Sequence, residues 1–167
     1  MGKIFALVLM LSIFFSGSCL ASIERNKDDF HGTTSIYSSY EKDSGFLGIQ
    51  HSYVLFLKTP NTYLLIIADT TRGQLGNPSF EKNGEIKIDG TIYNLEFHDN
   101  VIQGDADYGQ IAGRYIVPED LIPVIRTASK ITVRGCWACE NRAGNELIID
   151  IPDKILNEWK KVIDTQL

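Results

Sequence analysis

Two stretches near the middle of the chain are almost continuous runs of apolar residues. They cover residues 53–58 (YVLFLK) and 63–69 (YLLIIAD), and Thr59, Pro60 and Asn61 stand between them. Short runs of β-branched and aromatic residues bounded by turn-forming residues predict strands. Because neither run alternates with polar residues, we expect both strands to be central and covered on both faces.

A second hairpin is predicted around the dipeptide Asp89-Gly90. Residues 85–88 and 91–97 flank it, and both flanks alternate apolar with polar residues. This pattern predicts a half-buried hairpin with a type I′ turn, which favours Asp-Gly. Residues 70–83, between the two hairpins, contain the Gly, Asn and Pro of a long loop, and long loops on rigid sheets often bear function.

The second half of the chain mixes strands with two helices. Apolar residues at helical spacing predict helices over about 118–129 and 152–165. The remaining predicted strands are residues 110–117, 130–134 and 146–151. Together these elements predict an α+β fold, a mostly antiparallel β-sheet or small sandwich with two helices.

The first 21 residues have the pattern of a secretory signal peptide. Lys3 precedes the uncharged run 4–15, which is too short to span a bilayer, and small residues follow. Cys19 and Ala21 occupy the positions that a signal peptidase requires, so we expect cleavage after Ala21. The alternative is lipidation of Cys19, although Ser16 stands where a lipoprotein signal usually has Leu.

Cleavage leaves 146 of the 167 residues, and the loss of Lys3 takes the formal net charge from −5 to −6. This length predicts one domain over residues 45–167, preceded by an irregular polar arm over residues 22–44 with one edge strand near residues 33–37. Acidic charge without a basic cluster argues against nucleic acid or anionic lipid as partner. We expect a periplasmic or secreted protein without a membrane span, or one anchored through Cys19.

Cys136 and Cys139 form the only motif in the sequence that indicates a particular chemistry. A C-x-x-C pair forms a disulfide, a redox-active dithiol or half of a zinc site. The residues that follow are turn-rich and lead into a strand, so the helix that activates the thiolate of thioredoxin-like enzymes is not predicted here. A structural disulfide between Cys136 and Cys139 is the favoured interpretation in an oxidising compartment.

The same segment carries the candidate binding residues. Trp137 lies between the two cysteines, with Arg134 before it and Arg142 after it. Trp and Arg are enriched at interface hot spots, so a clamped tip that presents Trp137 is a candidate binding surface. The alternative is that Trp137 folds back onto the core, because large aromatic side chains are buried on average.

No residue pattern predicts catalysis, a metal or a cofactor. His31, His51 and His98 lack the spacing of metal ligands, and no serine lies in a G-x-S-x-G setting. We therefore expect an exported, non-enzymatic binding or inhibitor-type protein whose partner is another envelope or extracellular protein. The alternatives are a thiol-disulfide redox protein that uses Cys136 and Cys139, and a structural subunit of an envelope assembly that docks through residues 22–44.

Overall fold

A computed structural model describes residues 23–28, 32–44, 50–72, 79–104, 108–139 and 142–167. Strands and two helices make up most of this part of the chain. The strands are β1 (Ile23–Asp28), β2 (Thr33–Ser44), β3 (Gln50–Lys58), β4 (Tyr63–Arg72), β5 (Ser79–Phe80), β6 (Gly84–Ile88), β7 (Thr91–Gly104), β8 (Tyr108–Val117), β9 (Ile131–Cys139) and β10 (Arg142–Ile151). The helices are α1 (Leu121–Thr127) and α2 (Asp153–Asp164). The predicted α+β class, a mostly antiparallel sheet with two helices, is confirmed.

The strands are hydrogen-bonded in the order β1-β2-β3-β4-β8-β7-β6-β9-β10, and β5 pairs with β9. Strand β7 joins the two halves of this sheet, because its first residues pair with β6 and its last residues pair with β8. The register shifts between Phe97 and Asp99, where the second half of the strand begins. A bulge of this kind bends a strand and increases its twist. A single bent strand therefore carries the sheet from one half to the other.

The main core lies between the sheet and α2. This helix packs on β2 and β3. The fully buried ring of Trp159 stacks on Phe56 with 4.9 Å between ring centroids. The opposite face of the central strands holds a second buried cluster, which comprises Tyr37, Leu55, Leu57 and Leu64. Strands β3 and β4 are thus buried on both faces, as their continuous apolar runs predict.

The turn between β6 and β7 has the predicted geometry. Asp89 has φ 47° and Gly90 has φ 95°. A type I′ turn requires positive φ at both central residues, and glycine adopts this conformation at no steric cost. The Asp89 carboxylate also accepts hydrogen bonds from the backbone N–H groups of Ser129 and Lys130, which lie just before β9.

The described part of residues 22–44 is more regular than predicted: the expected edge strand near residues 33–37 lies within β2, and the remainder is not an irregular arm but the rest of β2 and β1. Strand β2 pairs with β3 over nine residues, and β1 pairs with β2 over six. Polar residues of β2 are satisfied inside the fold: Ser38 is fully buried and donates a hydrogen bond to Glu158 of α2 at 3.0 Å. Tertiary pairing therefore extends the strands well beyond the short stretch that local composition indicates.

Two further boundaries differ from the sequence prediction. Strand β4 continues to Arg72, so the predicted loop over residues 70–83 begins later than expected. Strand β7 continues to Gly104, beyond the predicted end of that strand at residue 97. The predicted signal peptide, residues 1–21, lies outside the described residues. Neither described helix has the length and apolar character that crossing a membrane requires.

Candidate functional site

The candidate site is a cleft beside the last strand of the sheet. Among the strands that the structure describes, β10 pairs only with β9. Its other edge borders a cleft of about 290 Å³ that is lined by Lys42 of β2, Ser52 of β3 and residues 145–149 of β10. The two halves of the sheet therefore approach each other at this cleft, and β10 contributes most of its wall.

The hydrogen bonds of β9 show which of its backbone groups face β10. The carbonyl of Cys136 accepts from the N–H of Glu81 at 2.7 Å, and the carbonyl of Lys130 accepts from the N–H of Asp89 at 3.0 Å. Glu81 and Asp89 follow β5 and β6, which pair with β9 along its other edge. Backbone groups alternate sides along an antiparallel strand. The backbone N–H and C=O groups of the even-numbered residues of β9 therefore point away from β10. Those of the odd-numbered residues point toward it.

The register between β9 and β10 shows which backbone groups of β10 face β9 and which face away from the sheet. Ile149 lies opposite Val133 and Leu147 lies opposite Gly135, so these are the hydrogen-bonded pairs. The N–H and C=O groups of Glu146, Ile148 and Asp150 consequently point outward. The ammonium group of Lys42 donates to the carbonyl of Ile148 at 3.5 Å, which agrees with this assignment.

The side chains along this edge form a row of an acid, an apolar residue and an acid. Glu146 and Asp150 are exposed. Ile148 between them is 54% exposed. A hydrogen bond from the Thr132 hydroxyl, together with the charge of Lys130, holds the pKa of Asp150 below its usual value. Ile92 of β7 is exposed to a similar extent, so Ile148 is distinguished by its place on a strand that pairs with β9 alone among the described strands, and natural proteins normally protect such edges.

A buried carboxylate lies behind the cleft. Asp69 is fully buried and accepts hydrogen bonds from the Ser52 hydroxyl at 3.2 Å and from the Trp137 indole N–H at 3.0 Å. Ser52 lines the cleft, although only 2% of it is exposed. These hydrogen bonds offset the cost of placing a carboxylate inside the protein. They hold the floor of the cleft in one arrangement.

The expectation that Trp137 is presented to a partner is corrected by its burial. The side chain is 4% exposed because its ring packs in the core and its N–H is used by Asp69. Arg134 is exposed, but its guanidinium bonds Glu85 at 3.0 Å and Glu146 at 2.5 Å. The side chain of Arg142 lies outside the described residues. Of the predicted binding residues, the structure therefore brings Trp137 and Arg134 next to the cleft in supporting positions.

The predicted bridge between Cys136 and Cys139 is not formed in this conformation, and it stays a prediction. Cys136 is a free thiol, and the side chain of Cys139 is outside the described residues. Both residues belong to β9. Residues three apart in an extended strand are about 10 Å apart, whereas bridged cysteines need Cα atoms within about 7 Å. A bridge would require the end of β9 to leave its extended conformation.

Burial raises the pKa of the Cys136 thiol, and the nearby carboxylates of Glu81, Glu146 and Glu85 act in the same direction. Arg134 opposes them in part. A thiol with a raised pKa is less often in the thiolate form, which is the reactive species. These surroundings do not favour a redox-active cysteine. Within the described part of the chain, no group of three or more His, Cys, Asp or Glu side chains is arranged to hold a metal ion.

Sequence reasoning missed the edge of β10, together with Lys42, Ser52 and Asp69. One signal was available in the sequence: Ile148 shares a face with Glu146 and Asp150 when strand periodicity is applied. That Ile148 is exposed depends on β10 being the last strand, which is a property of the whole sheet.

Comparison with known proteins gives no family for this chain. No family model matches it, and no curated protein or solved structure is significantly similar to it.

Proposed function

We propose that this is an exported, non-enzymatic binding protein that acts through the open edge of β10 and the cleft beside it. Export follows from the predicted signal peptide, residues 1–21, and the proposed partner is another envelope or extracellular protein. The observation that carries the proposal is the edge of β10: Ile148 is 54% exposed, and β10 pairs with β9 alone among the described strands. Open edges of this kind are a recurrent mode of protein recognition.

The groups beside the cleft are better suited to binding than to catalysis. The Ser52 hydroxyl donates to Asp69, and the second oxygen of that carboxylate is held by Trp137. Both polar groups are engaged in holding strands together. The raised pKa of Cys136 also disfavours a thiol nucleophile at this end of the sheet.

A photo-crosslinking amino acid placed at position 148 tests the proposal. The matched control carries the same amino acid at position 92, because Ile92 is 59% exposed in the same half of the sheet but belongs to β7. We expect a covalent adduct of defined mass from position 148, in cells that express the whole chain, and none from position 92. Equal adducts at both positions would show unspecific contact and would contradict the proposal.

A second variant tests whether the adduct depends on the outward backbone groups of β10. Glu146→Pro, introduced into the chain that carries the crosslinker at position 148, removes an outward N–H. Proline is tolerated on an edge strand where its nitrogen faces away from the sheet. We expect the adduct to be lost while the melting temperature stays close to that of the parent protein. An adduct that persists in this folded variant would mean that the edge is not the binding surface.

A further inference from the structure

The outward backbone groups of β10 repeat with the spacing of a strand. Glu146, Ile148 and Asp150 each turn one N–H and one C=O away from β9, the first two of them at the cleft, and alternate residues of a strand are about 6.6 Å apart. An extended segment of another chain would satisfy these groups in a ladder of hydrogen bonds. In the free protein the Lys42 ammonium contacts one of them, the carbonyl of Ile148, at 3.5 Å. This contact is long for a hydrogen bond, so a backbone N–H can replace it.

Over residues 145–150, the charged side chains of β10 that would lie opposite such an added strand are acidic, and the nearest base is Lys42, whose ammonium group lies 3.5 Å from the carbonyl of Ile148. Neighbouring strands lie about 4.8 Å apart, so the added strand would be next to Glu146 and Asp150. Arg134 of β9 lies one strand further back, and it already bonds Glu146 and Glu85. Lys87 of β6 lies two strands back, at about 14 Å, which exceeds the screening length of about 8 Å at physiological salt. Glu146 and Asp150 are therefore the charges directly opposite the added strand, and Lys42 and Lys130 are the bases that oppose them.

A second copy of this chain does not fit the same edge. Two β10 strands related by a two-fold axis through Ile148 would pair in antiparallel fashion. Glu146 of each copy would then lie opposite Asp150 of the other. Like charges directly opposite each other destabilise a pair of strands. The net charge of −5 on the chain adds to this repulsion.

On the premise that the proposed function is correct, we propose that the partner is an extended segment of a different protein that adds to β10 as a further strand. The segment carries a basic residue opposite Glu146, an apolar residue opposite Ile148 and a basic residue opposite Asp150. The basic residues form cross-strand ion pairs with Glu146 and Asp150, and the apolar residue covers the exposed Ile148.

Two synthetic peptides test the inference. The probe is acetyl-Lys-Thr-Val-Thr-Lys-amide, which reads the same in either strand direction, and its matched control has Glu in place of both Lys residues. Binding is followed by the backbone amide NMR signals of β10 in the protein recovered from cells that express the whole chain. We expect the Lys peptide to bind about tenfold more tightly than the Glu peptide, since two cross-strand charge pairs change sign.

Two variants separate this inference from the proposed function. Ile148→Pro blocks the edge, with Ile148→Val as its folded control, and we expect only the proline variant to lose binding. The double variant Glu146→Lys/Asp150→Lys reverses the sign of both charges, and we expect it to prefer the Glu peptide. Equal binding of both peptides, lost in Ile148→Pro, would overturn the basic partner and leave the edge as the binding surface. Absence of binding by either peptide, or binding that Ile148→Pro does not change, would overturn both.

Discussion

Both tryptophans of this protein are buried, but only Trp137 donates its indole N–H to a partner among the described residues. Trp137 donates to Asp69 at 3.0 Å, whereas the Trp159 nitrogen has no hydrogen-bond partner among the described residues. Loss of a donor to a buried carboxylate costs about 1–3 kcal/mol beyond the loss of packing. Trp137 is therefore a residue of the core that supports the cleft.

The two positions give a matched test of that role. Trp137→Phe and Trp159→Phe remove the same atoms from buried sites, so they differ chiefly in the hydrogen bond. We expect Trp137→Phe to lower the free energy of unfolding in urea by about 1–3 kcal/mol more than Trp159→Phe. Equal losses would mean that the indole of Trp137 contributes only by packing.

The Cys136 thiol is a second residue whose surroundings decide its chemistry. Because burial raises the pKa of this thiol, its thiolate fraction at pH 8 is lower than that of an exposed cysteine. After reduction, we expect Cys136 to react with iodoacetamide more slowly than a cysteine in a short unstructured peptide at the same pH. A faster reaction would support the alternative of a redox-active dithiol.

At the scale of elements, the edge of β10 is guarded by the Lys42 side chain of β2. Lys42 occupies the carbonyl of Ile148 and places a positive charge beside the edge. Lysines on or near open edges discourage unwanted strand pairing. A lysine at this position suits the proposed binding edge, which would pair with one partner but not with every exposed strand.

Removal of the Lys42 side chain is predicted to change the affinity for the peptide. We expect Lys42→Ala to raise the affinity for the Lys-Thr-Val-Thr-Lys peptide a fewfold, because it frees an acceptor and removes a repulsive charge. Lys82→Ala is the control, since Lys82 is exposed before β6 and away from the cleft lining. Affinities from NMR titration provide the comparison, and a weaker peptide complex in Lys42→Ala would mean that Lys42 helps to bind the partner.

The elements also show how far sequence reasoning reaches. The Asp89-Gly90 hairpin was predictable because its turn chemistry and alternation are local. Strand β1 and most of β2 were not, because their polar residues are stabilised by pairing with neighbouring strands and, for Ser38, by Glu158 of α2. The candidate site was less predictable still, since the burial of Trp137 depends on Asp69, 68 residues away in sequence.

At the scale of the whole molecule, the compartment determines which partners the protein meets. The apolar run 4–15 and the small residues that follow it predict export and cleavage after Ala21. We expect the intact mass of the protein recovered from the periplasm or medium to correspond to a chain that starts at Ser22. A chain that starts at a lipidated Cys19 would establish the anchored alternative, and an intact chain in the cytosol with free thiols would contradict export.

Amide hydrogen exchange along β10 tests the open edge most directly. In the free protein we expect fast exchange at Glu146, Ile148 and Asp150 and slow exchange at Leu147 and Ile149, because only the latter pair with β9. Addition of the Lys-Thr-Val-Thr-Lys peptide should then protect the three outward amides and leave the other two unchanged. Uniformly slow exchange in the free protein, or outward amides that stay fast when the peptide is bound, would contradict strand addition at this edge.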